Sequence, residues 1–142
     1  MNKISTDSEL IFADTTYKVR GAIFAVYNTL GPGHKEIVYQ KALEKELEAQ
    51  KIPFVREQIL DVKYRNFKVG KYIPDFIVDN KVIIELKAVE FMPKIYESQL
   101  IHYLKTTGFE VGLLVNFGQP KLVIKRLVWS QKVWEAESVK IR

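Results

Sequence analysis

The chain has 142 residues, 47% hydrophobic and 27% charged, which suits a single domain, residues 1–142, able to bury its own core and excludes a disordered or low-complexity polymer. It has no cysteine, so disulfides, thiolate nucleophiles and cysteine-ligated zinc are excluded. With 22 Lys plus Arg against 17 Asp plus Glu the net charge is +5, which favours a polyanionic partner, although a merely solubilising basic surface accounts for it equally well.

Residues 1–6 lack the apolar centre of a signal peptide, and no apolar run approaches the ~20 residues needed to span a bilayer, so the expected location is cytoplasmic. Thr6-Asp7-Ser8-Glu9 has the form of a capping box, and Val19, Ile23, Val26 and Leu30 recur at helical spacing. The spacing predicts a first helix from about residue 7 to 30, ended by Gly31-Pro32-Gly33. A second helix is expected from near His34 to Gln50, with Val38, Ala42 and Leu43 on its inner face and Pro53 beyond its end.

Phe54 to Tyr64 reads as a strand turning at Arg65-Asn66, and Phe67 to Val78 as its return, with a bend or bulge at Gly70. A third antiparallel strand runs from Lys81 to Val89. Pro93 suits the first turn of a third helix and Gly108 its C′ position, with Ile95, Leu100, Ile101 and Leu104 as an apolar stripe. Val111 to Val115 and Leu122 to Trp129 complete the pattern as strands around the turn at Gly118-Gln119-Pro120. The order α-α-β-β-β-α-β-β predicts an α/β (α+β) fold, a mixed sheet flanked by helices.

The chemistry concentrates in residues 72–87, where Asp75 lies on one apolar run and Glu85 and Lys87 lie two apart on the next. Charges inside apolar strands need partners, because an unpaired buried charge costs several kcal/mol or titrates away. Glu85 and Lys87 share a strand face, and Asp75 converges on them from the partner strand if the register allows. Two carboxylates beside a lysine make a hard-metal site: Mg²⁺ takes one or two carboxylates and keeps its waters, and the ammonium stabilises developing negative charge. Opposed residues of an antiparallel pair share a face, so a two-residue turn at Asp79-Asn80 would send Glu85 away from Asp75. A common site therefore requires an odd loop, most simply Asp79-Asn80-Lys81, or a bulge. The plain alternative is a solvent-facing charge alternation, against which Val82, Ile83, Ile84, Leu86 and Val89 argue by making the strand apolar on both faces.

Pro74-Asp75 followed by Glu85-Leu86-Lys87 resembles the PD-(D/E)XK nuclease superfamily. Gly33-His34-Lys35-Glu36-Ile37-Val38-Tyr39 resembles the signature of its GxxExxY branch, and Gln99-Leu100-Ile101-His102-Tyr103 is similar to the QxxxY element of RecB-type nucleases. All occur in family order, and the resemblance runs from about Val19 to about Val128. It implies a restriction-endonuclease-like core and a Mg²⁺- or Mn²⁺-dependent nuclease acting on nucleic acid, DNA in preference to RNA. Asp75, Glu85, the Leu86 carbonyl and Glu36 would hold the metal, Lys87 would help activate water, and Gln99 and Tyr103 would contact substrate.

Glu36 also suits a helix N-terminus, where a carboxylate meets free N–H groups three residues after Gly33. Tyr39 reads as packing, and Gln99 and Tyr103, four apart, share a helix face that a surface Gln and a core Tyr would occupy equally well. His34 and His102 have no partner at metal-ligand spacing. Lys105, Lys121, Lys125, Arg126 and Lys132 are available to a nucleic-acid backbone or simply to solvent. The superfamily's frequent dimers allow a homodimer, which no segment marks. The family pattern has His where this chain has Tyr27, so an inactive nucleic-acid-binding module of the same fold is the alternative function, with a scaffold protein third.

Overall fold

The computed structural model describes residues 11–131. The capping sequence at residues 6–9 and Lys132 lie outside that range. Helix α1 (Ala13–Leu30) buries Val19, Ala22, Ile23 and Val26 on one stripe and stops at Gly31, whose φ of 64° lets its N–H reach back to the Tyr27 carbonyl. Helix α2 (Glu36–Ala49) begins two residues later than expected. Its buried face is Tyr39, Gln40, Leu43 and Leu47, so the helix is rotated from the expected Val38-Ala42-Leu43 face and Val38 is exposed.

Among the described residues, seven strands follow where the sequence pattern suggested five. The run from Phe54 to Tyr64 divides into β1 (Phe54–Arg56) and β2 (Leu60–Tyr64), because Glu57 takes a φ of 53° that no strand accommodates and donates its N–H to the Asp75 carbonyl. The run from Phe67 to Val78 divides into β3 (Phe67–Tyr72) and β4 (Phe76–Val78) at Pro74, which has no N–H for a ladder. The bulge expected near Gly70 is present: Val62 pairs with Gly70 and Lys63 with Lys68, leaving Val69 extra.

Strand β5 (Val82–Lys87) leads through α3 (Ile95–Thr107) to β6 (Val111–Asn116), which pairs with it in parallel, and β7 (Val123–Val128) closes the edge. Pro93 precedes α3 instead of lying in its first turn, while Gly108 sits at φ 88° with its N–H on the Leu104 carbonyl, as predicted. Leu100 and Leu104 are the fully inward residues of α3, and Ile95 is exposed.

The five-stranded mixed sheet has the order β1-β4-β5-β6-β7, with β2 and β3 forming a separate hairpin. Val82, Ile84, Leu86, Val111, Leu113 and Val115 face α1 and α2. Ile77, Ile83 and Leu114 face the other way, against Leu100 and Leu104 of α3 and Tyr72 of the hairpin. Two apolar layers therefore cover the sheet, and a strand buried on both faces reads as the near-continuous apolar run seen in β5. Among the described residues no helix is long and apolar enough to cross a membrane.

Candidate active site

The β4–β5 register places the acidic residues together. Val78 pairs with Val82, Ile77 with Ile83 and Phe76 with Ile84, so Asp79, Asn80 and Lys81 form the connecting loop and Asp75 falls opposite Glu85. This is the odd loop that a shared site requires. Asp79 and Asn80 supply it by adopting φ of 52° and 53°, and the Lys81 N–H closes the turn on the Val78 carbonyl.

The ladder between the two strands stops at Phe76 and Ile84, because the next position in line with Leu86 is Pro74. The Leu86 N–H is taken instead by Asp75 Oδ2 at 2.7 Å. This fixes the Asp75 carboxylate in the gap where β4 leaves β5, within reach of both faces of the sheet. From the α2 side, Gln40 Nε2 donates to Asp75 Oδ1 at 3.2 Å and approaches Glu36 Oε2 at 3.5 Å, so one amide ties the second helix to the strand carboxylate. Arg56 donates to the Gln40 amide oxygen at 3.4 Å and to the Asp75 carbonyl at 3.4 Å, holding that amide in place.

From the other side, the Tyr72 hydroxyl donates to Glu85 Oε1 at 2.5 Å. The Tyr72 ring stacks on Tyr103 of α3, centroids 3.8 Å apart and ring planes nearly parallel, so α3 and the Glu85 anchor form one unit. Lys87 Nζ lies 4.5 Å from the centre of the Tyr96 ring, which orients the ammonium by cation–π attraction. A pocket opens here, lined by Tyr72, Glu85, Lys87, Tyr96, Gln99 and Tyr103. Gln99 and Tyr103 thus reach the same cavity as Glu85 and Lys87.

The carboxylates behave as one electrostatic cluster. Burial, then the charge of Asp75, pushes the Glu85 carboxyl up to about 7. Burial also raises Asp75, against the lowering effect of the Leu86 N–H, and the part-burial of its head group raises Glu36, which remains open to solvent. Lys87 lowers all three, and the charge of Asp75 raises both Glu36 and Glu85. The Tyr72 hydroxyl is held protonated by burial and by the Glu85 charge.

Several participants escaped the sequence reading. Gln40 stands one turn after Glu36, a spacing that could have revealed it. Tyr72, Tyr96 and Arg56 become site residues only through tertiary contacts. Glu36 is the first residue of α2 and not the third, and no side chain caps that helix. Tyr39 is structural: its hydroxyl donates to the Gly31 carbonyl at 2.6 Å and accepts the His34 N–H at 3.2 Å, and its ring stacks on Phe117. Tyr27 donates to the Pro120 carbonyl at 2.9 Å. Of the basic residues expected at a backbone, Lys125 is paired with Glu97 at 3.0 Å and Arg126 donates to the Ile11 carbonyl at 2.8 Å.

The donor chemistry fits a hard divalent cation. Three carboxylates with raised protonation share one ammonium, and a cation among them would relieve both desolvation and repulsion. Among the described residues no group of three or more acidic or histidine side chains is already closed around a point. Mg²⁺ needs no such cage, since a carboxylate pair, a carbonyl and water suffice.

No curated protein sequence matches the chain. A solved structure titled "Crystal structure of SSO0001" shares the fold, with 20% identity and a TM-score of 0.51 over 73% of this chain. The match covers 56% of that other chain, and at this identity it speaks for the fold alone. A family model described as the PD-(D/E)XK nuclease superfamily matches residues 13–127, a span that contains the Asp75, Glu85 and Lys87 cluster and every element from α1 to β7 but for its last residue. By that match the chain belongs to the PD-(D/E)XK nuclease superfamily.

Proposed function

We propose that this protein is a Mg²⁺- or Mn²⁺-dependent nuclease of the GxxExxY branch, hydrolysing phosphodiester bonds of nucleic acid, DNA in preference to RNA, in the cytoplasm. The observation that carries the reading is the register: the odd loop sets Asp75 against Glu85 while Lys87 lowers the carboxyl groups of both. Asp75, Glu85 and the Leu86 carbonyl would hold the ion, with Glu36 completing the site directly or through water. When bound, the ion supplies Lewis-acid charge at the scissile phosphate and acidifies a nearby water.

The chain's own side chains supply the rest. Lys87, fixed over Tyr96, adds positive charge where the phosphate becomes more negative and holds the attacking water by hydrogen bonding. The Tyr72 hydroxyl and the Gln40 amide hydrogen-bond Glu85 and Asp75, which orients the two carboxylates before substrate arrives. Gln99 and Tyr103 line the pocket and would offer an amide and a phenol to phosphate oxygens.

Cleavage assays decide the matter. Purified protein with Mg²⁺ or Mn²⁺ is expected to cut a single-stranded, double-stranded or branched substrate, with Ca²⁺ supporting binding but little turnover. Lys87→Ala abolishes cutting and keeps metal affinity, whereas Asp75→Ala and Glu85→Ala lose both. A second reading, a nucleic-acid-binding module without catalysis, is favoured by Tyr27, which is engaged with the Pro120 carbonyl where the family pattern has His. Metal-independent, salt-sensitive binding with no cleavage of any substrate would establish it.

A further inference from the structure

The β2–β3 hairpin carries a second surface that the cleavage chemistry does not use. Residues 63–71, Lys-Tyr-Arg-Asn-Phe-Lys-Val-Gly-Lys, hold four basic residues and no acidic one. Leu60, Val62 and Tyr72, at the base of the hairpin, pack against α3. Tyr64 continues the Leu60-Val62 face by alternation, and Phe67 lies opposite Tyr64 in the register. At the tip, however, none of the described residues covers that face: Tyr64 is 60% exposed and Phe67 69%. Lone exposed apolar residues are ordinary, but two opposed aromatic rings at the end of a ribbon form a surface that invites a partner.

The charges say what kind of partner. Lys63 stands directly opposite Lys68 on the other face, a like-charged cross-strand pair that is unfavourable unless an anion lies nearby. Lys68 is partly compensated by Asp61 at 3.0 Å, and Arg65 occupies the turn itself with a φ of 53°, its guanidinium 5.5 Å from the Tyr64 ring. A second copy of this chain would bring the same positive ribbon and be repelled. An unpaired nucleic-acid strand offers what the ribbon lacks, flat bases for the rings and phosphates for the lysines, whose long stems reach around a ribbon only two strands wide.

We infer that the β2–β3 hairpin is a single-strand-binding arm, with Tyr64 and Phe67 as stacking platforms for unpaired bases and Lys63, Arg65, Lys68 and Lys71 on the backbone. The arm is anchored in the site by Tyr72, which holds Glu85 at one end of β3 while Phe67 begins the other. Five residue steps of strand span about 16 Å. At about 3.4 Å per phosphate along a stacked strand, this is the reach of roughly five nucleotides. The inference rests on the nuclease reading only for its consequence: the substrate carries an unpaired segment a few nucleotides from the bond that is cut.

Binding is measured in EDTA, where no cleavage occurs, by fluorescence anisotropy of a labelled oligothymidylate and of a labelled duplex. The double variant Tyr64→Ala/Phe67→Ala is expected to lose about fivefold in single-strand affinity per ring, about 25-fold in all, with duplex affinity changed less than about twofold. The double variant Tyr64→Phe/Phe67→Tyr, which keeps both rings, retains wild-type affinity, and Tyr64→Leu/Phe67→Leu, which keeps only apolar bulk, does not. Equal losses for duplex and single strand would overturn the stacking role. Unchanged binding in the alanine variant would overturn the arm altogether, as would a wild-type protein that binds no single strand. Ring variants that dissolve a dimer in sedimentation equilibrium without altering nucleic-acid affinity would make this a self-interface and overturn it too. Ring-dependent binding by a protein that cuts nothing with Mg²⁺ or Mn²⁺ would retire the nuclease reading and leave the arm standing, whereas cleavage with ring-independent binding would do the reverse.

Discussion

Replacing Glu85 with glutamine is expected to stabilise the metal-free protein at alkaline pH while removing its activity. The folded-state carboxyl titrates at about 7 against an ordinary 4.5, first because it is buried and second because Asp75 stands opposite. The folded state therefore binds this proton more tightly than the unfolded chain. Its contribution to stability is complete below about pH 4.5 and is lost as pH rises through about 7. The interval between those two values, at about 1.36 kcal/mol per pH unit, sets an upper limit of about 3 kcal/mol at pH 8. Partial solvation of the site reduces this to about 1–3 kcal/mol. A glutamine side chain is neutral at every pH, and its amide oxygen can still accept the Tyr72 hydroxyl. Urea denaturation in EDTA measures the effect: with a slope of roughly 1–3 kcal/mol/M for a domain of this size, a gain of about 2 kcal/mol moves the midpoint by about 1 M. The gain should shrink to below about 1 kcal/mol at pH 5, where the folded wild type is already protonated. Adding Mg²⁺ at pH 8 should stabilise the wild type and not the variant. A variant no more stable than wild type at pH 8, or equally stabilised at both pH values, would refute the claim that Glu85 is a strained charge awaiting a cation.

Gln99→Ala and Tyr103→Phe should lower turnover or substrate affinity with little change in melting temperature, because both line the pocket beside Glu85 and Lys87, while Leu104→Ala, at a fully buried position, should cost about 2–5 kcal/mol of stability. Wild-type kinetics in both polar variants would return those side chains to a packing role. Asn116, fully buried at the end of β6, bonds both the N–H and the carbonyl of Val89 and the N–H of Gly118, clamping the chain just after Lys87. Asn116→Ala should cost about 2–4 kcal/mol through the orphaned backbone groups, read by thermal or urea unfolding, and a loss under about 0.5 kcal/mol would show that the clamp is dispensable.

Much of the candidate site's geometry was legible because local rules determine it. The parity of the loop decides whether Asp75 meets Glu85, and Asp79 and Asn80 are residue types that tolerate the positive φ an odd loop needs. The unbroken apolar character of β5 likewise announced a central strand. What stayed hidden depends on distant partners. Tyr72 reads as an ordinary strand aromatic until α3 lays Tyr103 across it, and Arg56 reads as an edge charge until it reaches the Gln40 amide. The division of the two long strands was hidden for a related reason. Glu57 leaves the extended region although it is not a glycine, and its N–H finds the Asp75 carbonyl, so the break in one strand is specified by the site on another.

That coupling explains why the candidate site sits where it does. In a central strand such as β5 the ladders on its two sides together consume every backbone donor and acceptor, so a carboxylate can enter the plane of the sheet only where a ladder fails. Pro74 makes it fail by withholding an N–H opposite Leu86. The gap on one side is filled by the Asp75 carboxylate, which takes the Leu86 N–H at 2.7 Å. The same missing donor leaves the Leu86 carbonyl without a ladder partner from Pro74, and a carbonyl so placed beside two carboxylates is a natural ligand for a hard cation. The Pro-Asp pair is thus one device: the proline opens the sheet, the aspartate occupies the opening, and the strand beyond presents Glu85 and Lys87 at its mouth. Moving the proline by one residue would leave the loop's parity, and with it the opposition of Asp75 and Glu85, but would restore a backbone donor opposite Leu86 and close the opening.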